Sequence, residues 1–333
     1  MKLFKVLLFV VLFQSCTSQV KKINGVSFVA ASDSISSKHV KPVKAINSNY
    51  ASLMPFALLK AVDSSNIYYS AKRQWFGETE EGLQQYAKWL RKSNIKLMVK
   101  PQIWVWNGEF TGTIKMTNEA DWKNLEKTYS AFILDFAAIS QRLNAEIFCI
   151  GTELEQFVKH RPDYWKQLIL DIKKVYKGKL TYAANWDEYK RTPFWSDLDF
   201  IGIDAYFPLS DLKTPTFEAA MKGWEKHKPV IKSYADKFSK PILFTEFGYR
   251  SVDYTAAKPW ETSRVLKSVN FVGQTNTTKA LFETFWHEPW FSGGFVWKWF
   301  HNYEASGGID NNRFTPQNKP VEAVFKAYYS NEY

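Results

Sequence analysis

Two apolar runs in this chain each stop on a carboxylate. Pro241-Ile-Leu-Phe-Thr-Glu-Phe-Gly-Tyr249 breaks at Glu246, and Ala145-Glu-Ile-Phe-Cys-Ile-Gly-Thr-Glu-Leu154 ends on Glu153. A pair of strand-terminal glutamates suits a glycosidase, whose chemistry needs one carboxyl group to protonate a leaving oxygen and another to attack the sugar. A retaining enzyme holds the two roughly 5–5.5 Å apart. Either glutamate alone would serve equally well in a salt bridge or a helix N-cap. Both together, each within two residues of a glycine and among aromatic residues, favour chemistry.

Positioning such a pair calls for two strands that open on the same face. The chain alternates strand-like and helix-like segments from about Gly25 to its end, the pattern of a parallel sheet with helical crossovers. Eight strands are expected: Gly25 to Ala30, Tyr50 to Phe56, Lys96 to Ile103, Glu146 to Gly151, Leu180 to Ala184, Phe200 to Ala205, Ile242 to Thr245 and Gly294 to Trp297. Helical periodicity is clearest over Glu80 to Lys92, Asp121 to Leu143, Asp163 to Tyr176, Phe217 to Phe238 and Thr277 to Trp286, with Pro320 to Tyr329 as a closing helix. Eight strand–helix units that close on themselves form an α/β protein of the (β/α)₈ TIM-barrel type, a single domain over residues 23–333. In that fold strands four and seven face each other and their C-terminal ends share one mouth, so Glu153 and Glu246 would meet there.

Neighbouring residues acquire roles from the same placement. Tyr206, just past Asp204 at the end of strand six, can donate to the attacking carboxylate and favour its charged form. Asp204 can orient a hydroxyl. Glu155, two residues beyond Glu153, is the rival acid, ranked lower because Leu154-Glu155-Gln156 already reads as the start of a loop and helix. Trp104, Trp106 and Asn107 follow strand three, Trp186 follows strand five, and Trp297 and Trp299 end strand eight. Indoles stack on the C–H faces of sugars and donate to hydroxyls; core packing is the competing role for each one singly, and Trp297 is the best single platform. Lys100 and Lys298, also near strand ends, can bind a hydroxyl, although a lysine that snorkels to solvent is the default.

Phe148-Cys-Ile-Gly-Thr-Glu-Leu154, Asp204-Ala-Tyr-Phe-Pro208, Thr245-Glu-Phe-Gly-Tyr249 and the long block from Ala280 to Trp299 together resemble glycoside hydrolase family 113, the β-mannanases of clan A. The resemblance runs from about Gly25 to the C-terminus. It implies a retaining enzyme with Glu153 as acid/base and Glu246 as nucleophile, acting as an endo-β-1,4-mannanase on mannan or mannooligosaccharides. Many clan members carry Asn just before the acid/base, to bind the sugar 2-hydroxyl. Thr152 stands there in this chain, so that contact is expected from elsewhere, with Asn185 the candidate.

Composition fits a glycan enzyme and narrows the alternatives. The 14 Trp, 17 Tyr and 26 Phe exceed what a core needs, so some line a groove. The formal charge of +11 is carried by lysines scattered over helices, which argues against nucleic acid as a partner. His39, His160, His227, His287 and His301 lack metal-ligand spacing, and no phosphate-binding glycine loop or Gly-x-Ser-x-Gly occurs, so no metal or cofactor is called for. Residues 1–15 read as a signal peptide, followed by Cys16 as a lipidated first residue and a short tether over 16–22. This places the chain in a bacterial cell envelope, anchored to the membrane through Cys16, on an outer-membrane face turned to the periplasm or the surface; simple secretion is the alternative. Cys149 reads as a buried inert thiol. The rival functions are the same machinery on glucomannan, cellulose or xylan, and a non-catalytic glycan-binding lipoprotein.

Overall fold

The computed structural model describes residues 21–69, 74–263, 265 and 268–330. The leader, Cys16 and all of the tether but Lys21 and Lys22 lie outside the described residues. In chain order the strands are β1 (Ile23–Phe28), β2 (Tyr50–Leu53), β3 (Phe56–Leu59), β4 (Ile67–Tyr68), β5 (Lys96–Val99), β6 (Gln102–Val105), β7 (Ile147–Thr152), β8 (Lys179–Asn185), β9 (Ile201–Asp204), β10 (Ile242–Phe247) and β11 (Phe291–Trp299). Eight of them close a parallel barrel in the order β1, β2, β5, β7, β8, β9, β10, β11 and back to β1. Each of the eight expected strands corresponds to one of these. The strands read as apolar runs because both faces are covered: every residue of β1 and of β10 is buried.

Two expected strands are each divided by a proline. Tyr50 to Phe56 breaks at Pro55 into β2 and β3, and Lys96 to Ile103 breaks at Pro101 into β5 and β6. A proline has no N–H to donate to the ladder, so the barrel pairing stops there. The chain continues outward, and β3 pairs in parallel with β6 and antiparallel with β4 in a small sheet beside the barrel mouth.

The surrounding helices are α1 (Ser37–Ala45), α2 (Glu80–Lys92), α3 (Glu119–Arg142), α4 (Glu155–His160), α5 (Pro162–Val175), α6 (Phe217–Glu225), α7 (Lys228–Phe238), α8 (Phe271–Phe285) and α9 (Val321–Tyr329). In α2 the Thr79 side chain accepts the Gly82 N–H at 3.1 Å, and Leu83, Tyr86, Ala87 and Leu90 form the buried face. Such a cap contributes about 1 kcal/mol. The single helix expected over Phe217 to Phe238 is two, because Pro229 at the start of α7 would clash with the carbonyl one turn earlier. The helix expected from Thr277 begins instead at Phe271, where the Asn270 side chain accepts the Gly273 N–H at 2.9 Å.

Inside the barrel, the end opposite the mouth is plugged by Ile23, Met98, Ile147, Phe200, Leu243 and Phe295. Gly25 makes room for this plug: a Cβ there would lie 2.4 Å from the Phe295 ring. Above that apolar layer the interior becomes charged.

Candidate active site

The charged layer is set by register. Asn185 on β8 pairs with Asp204 on β9, and Asp204 pairs with Glu246 on β10, so three polar side chains leave neighbouring strands at one level. Asp204 and Lys100 are completely buried, and Glu246 is nearly so. Lys100 Nζ lies 2.5 Å from Glu246 Oε1 and 3.2 and 3.3 Å from the two Asp204 oxygens. Gln102 Nε2 donates to the same Glu246 oxygen at 3.1 Å, and the Tyr206 hydroxyl donates to Oε2 at 2.8 Å. Thr245 Oγ1 donates to Asp204 Oδ1 at 2.7 Å. Every contact to Glu246 is therefore a donor, the complement of an ionised carboxylate, which only accepts.

Burial would lower the Lys100 ammonium, but Asp204 and Glu246 outweigh it and the net shift is upward. Burial first, and then Glu246, push Asp204 up to about 7, against the pull of Lys100. Tyr206 is held well above its ordinary range by burial and by Glu246, so it keeps the proton it donates.

Glu153 sits directly after β7 in quite different company. Its backbone is left-handed, with φ 50°, an uncommon conformation for a residue with a side chain. The turn is pinned from β8: the Glu153 N–H donates to Ala183 O at 2.8 Å and the Leu154 N–H to the Tyr182 hydroxyl at 2.6 Å. Burial pushes the Glu153 carboxyl well above its usual range, and Asp204 and Glu246 push it further; Lys100 opposes them only in part. Three carboxyls thus crowd one ammonium, and Glu153, which lacks the donor shell of Glu246, is pushed toward its protonated form.

A groove of about 930 Å³ opens beside this centre, between the end of β1, the small β3–β4–β6 sheet and the end of β11. Phe56, Tyr68, Trp75, Trp104 and Phe300 supply its rings, and Lys298 and His301 its polar edge. Glu78, also in its lining, is pushed up to about 7 by burial.

The structure brings most of the expected site residues together. Glu153, Glu246, Asp204, Tyr206 and Asn185 meet at the mouth. Asn185 Oδ1 accepts the Trp186 N–H at 2.8 Å. Trp104 stands on β6, 54 % exposed, and lines the groove against Phe56. Trp297 is half-buried, with Lys298 Nζ 5.1 Å from its ring centre. Trp186 stacks on Trp260 with centroids 5.4 Å apart and planes within 15°. Trp106 and Asn107 are exposed and lie outside the groove lining. Trp299 departs from expectation: it is fully buried in the core beside Tyr303, so neither indole face is open to a sugar. Glu155 turns away to Arg191, 2.5 Å distant, as the first residue of α4.

Lys100 also departs from expectation, because its ammonium does not reach solvent but sits between two carboxylates. The readable signal was a lysine closing the buried run Leu97-Met98-Val99 just before Pro101. Gln102, Trp75 and Trp260 were missed, since nothing in the sequence marks the small sheet or the loop that carries Trp260. Among the described residues, no cluster of three His, Cys, Asp or Glu could hold a metal ion, and no helix is long and apolar enough to cross a membrane.

The sequence model of glycoside hydrolase family 113 matches residues 29–319. A search of curated protein sequences returns no match. Among solved structures, a complex of a GH113 β-1,4-mannanase superposes with a TM-score of 0.80 at 21% identity, covering 94% of this chain and 100% of that one. The GH113 β-mannanase AaManA from Alicyclobacillus acidocaldarius, in complex with ManMIm, gives 0.80 at 22% identity over 93% and 97%. A β-glucuronidase from Faecalibacterium prausnitzii gives 0.60 at 15%, this chain spanning 49% of its length. At such identities the superpositions establish the barrel fold.

Proposed function

This chain belongs to glycoside hydrolase family 113, and from that premise we propose that it is a retaining endo-β-1,4-mannanase. Glu246 attacks the anomeric carbon while Glu153 protonates the departing glycosidic oxygen. The resulting glycosyl ester on Glu246 is then opened by water, with Glu153 taking the water's proton. The observation that carries this division of labour is the contrast between the two carboxyls, one ringed by donors and the other pushed toward its protonated form. Tyr206, Gln102 and Lys100 hold the nucleophile. Asn185, beside Asp204, supplies the amide for the 2-hydroxyl that Thr152 does not offer.

The groove supports action within a chain rather than only at its end. It holds about 930 Å³ and is lined by rings, room for sugar units beyond the one being cleaved, with Trp104 and Trp75 as stacking faces. The substrate assignment is supported by the family and by the mannanases among its solved members. The leader and Cys16 support placement in a cell envelope on a lipid anchor.

Reducing-sugar release from β-1,4-mannan by a soluble form starting at Val20 tests the reading. Proton NMR should show the β-anomer of the product first, and viscosity should fall before monosaccharide accumulates. Initial α-anomer would overturn retention, and release of mannose alone would overturn endo action. A chain inert on mannan but active on cellulose, xylan or glucomannan keeps the mechanism and loses the substrate. If it is inert on all of them, the glycan-binding reading takes the lead.

A further inference from the structure

One buried carboxyl at the mouth has no part in the chemistry above. Glu188, in the short turn after β8, is 2 % exposed and pairs with no cation among the described residues. Its Oε1 accepts from the Tyr182 hydroxyl at 2.6 Å, and its Oε2 accepts the Asn185 N–H at 2.9 Å. That same Tyr182 oxygen accepts the Leu154 N–H at 2.6 Å. A continuous path of short hydrogen bonds therefore runs from Glu188 through Tyr182 to the residue beside Glu153, and a second reaches the backbone of Asn185.

The direction of these bonds matters. A phenol hydrogen lies near the ring plane and can turn either way; only when it points to Glu188 is the oxygen free to accept from Leu154. The Tyr182 ring itself is held by Trp165 and Phe194 at centroid distances of 5.6 and 5.5 Å, so Glu188 is not needed to keep the ring in place. What Glu188 decides is the orientation of the hydroxyl. Without that acceptor the Leu154 N–H faces a competing donor, and the strained left-handed backbone at Glu153 loses one of its two pins.

We propose that Glu188 is the positioning residue of the acid/base: through Tyr182 it fixes the left-handed turn that presents the Glu153 carboxyl, and through the Asn185 N–H it fixes the neighbouring amide. The proposal rests on Glu153 being the proton donor. Burial pushes this carboxyl up to about 8, and the two hydrogen bonds it accepts, from Tyr182 and Asn185, pull against that shift.

Leaving-group dependence separates this role from simple support of the fold. Aryl glycosides of mannobiose with dinitrophenolate leave without a proton, whereas phenolate needs the acid. Rates for the parent, Glu188→Leu and Tyr182→Phe would be divided by the number of sites that a fluorosugar inactivator labels at Glu246, so that misfolded molecules drop out. Both variants should lose about 10- to 100-fold in kcat/KM on the phenyl glycoside, the scale expected for a catalytic group displaced by about 1 Å. On the dinitrophenyl glycoside the loss in kcat/KM, which reports only the first step, should stay under about threefold. Equal losses on both substrates after normalisation, or no loss on either, would overturn the proposal. A parent that cleaves the aryl glycosides but not mannan counts against the polysaccharide assignment alone. A parent inert on every glycoside removes the premise and this inference with it.

Discussion

Glu246 and Glu153 are the same residue type, at the ends of facing strands of one barrel, in opposite surroundings. Around Glu246 the fold converges an ammonium, an amide and a phenol on two oxygens. Around Glu153 it supplies burial and two like-charged neighbours. The division of labour between two chemically identical groups is made by what leaves the adjacent strands: donors from the end of β5, the start of β6 and the end of β9 on one side, acids from β9 and β10 on the other.

The contrast can be broken from either side. Glu246→Ala removes the nucleophile, and hydrolysis of mannan and of activated aryl glycosides alike should fall by roughly 10⁴- to 10⁶-fold in kcat. Equal activity on the activated substrate would mean that the nucleophile lies elsewhere. Glu153→Ala should cost about 10²- to 10⁴-fold on mannan but far less with a dinitrophenolate leaving group, and added azide should restore turnover as a glycosyl azide. If azide does nothing, Glu153 is not the group that activates water.

Lys100→Met attacks the donor side. It leaves Asp204 and Glu246 without their shared cation, and loss of one partner of a buried pair costs about 3–5 kcal/mol, readable as an earlier midpoint in chemical denaturation. A variant as stable as the parent would show that the ammonium is not holding the two carboxyls.

The smallest effect sharpens the contrast through pH. Glu153 must carry a proton in the first step, and its folded pKa is raised, so kcat/KM on mannan should fall as pH rises through that raised value. The alkaline limb should therefore lie well above the ordinary glutamate value of about 4.3. The limb should vanish with the dinitrophenyl substrate; an unchanged limb would assign it to another group.

The barrel was legible in the sequence because buried parallel strands read as apolar runs, and because Glu153 and Glu246 interrupt two of them. What the sequence hid depends on direction rather than type. The prolines at 55 and 101 were in plain view, yet where the chain goes after leaving the barrel is set by pairing between β3 and β6, residues more than forty apart. Trp297 and Trp299 stand two apart on β11, where a regular strand would send both to one face, and the shift in register against β1 between Val296 and Trp299 is what parts them, leaving Trp297 half-buried and Trp299 in the core. Lys100 looked like a surface lysine until both of its partners were brought in from β9 and β10, over a hundred residues away.

The left-handed backbone at Glu153 bears on how this site is maintained. Glycine would adopt that conformation without the roughly 1–2 kcal/mol that a side chain adds, and would also remove a half-buried acid from the company of two others. Glu153→Gly should therefore melt higher than the parent while losing the hydrolysis of mannan. Folding energy at this position runs downhill toward inactivity, so mutational drift here would yield a sturdier but silent barrel, and only selection for turnover can hold the glutamate in place.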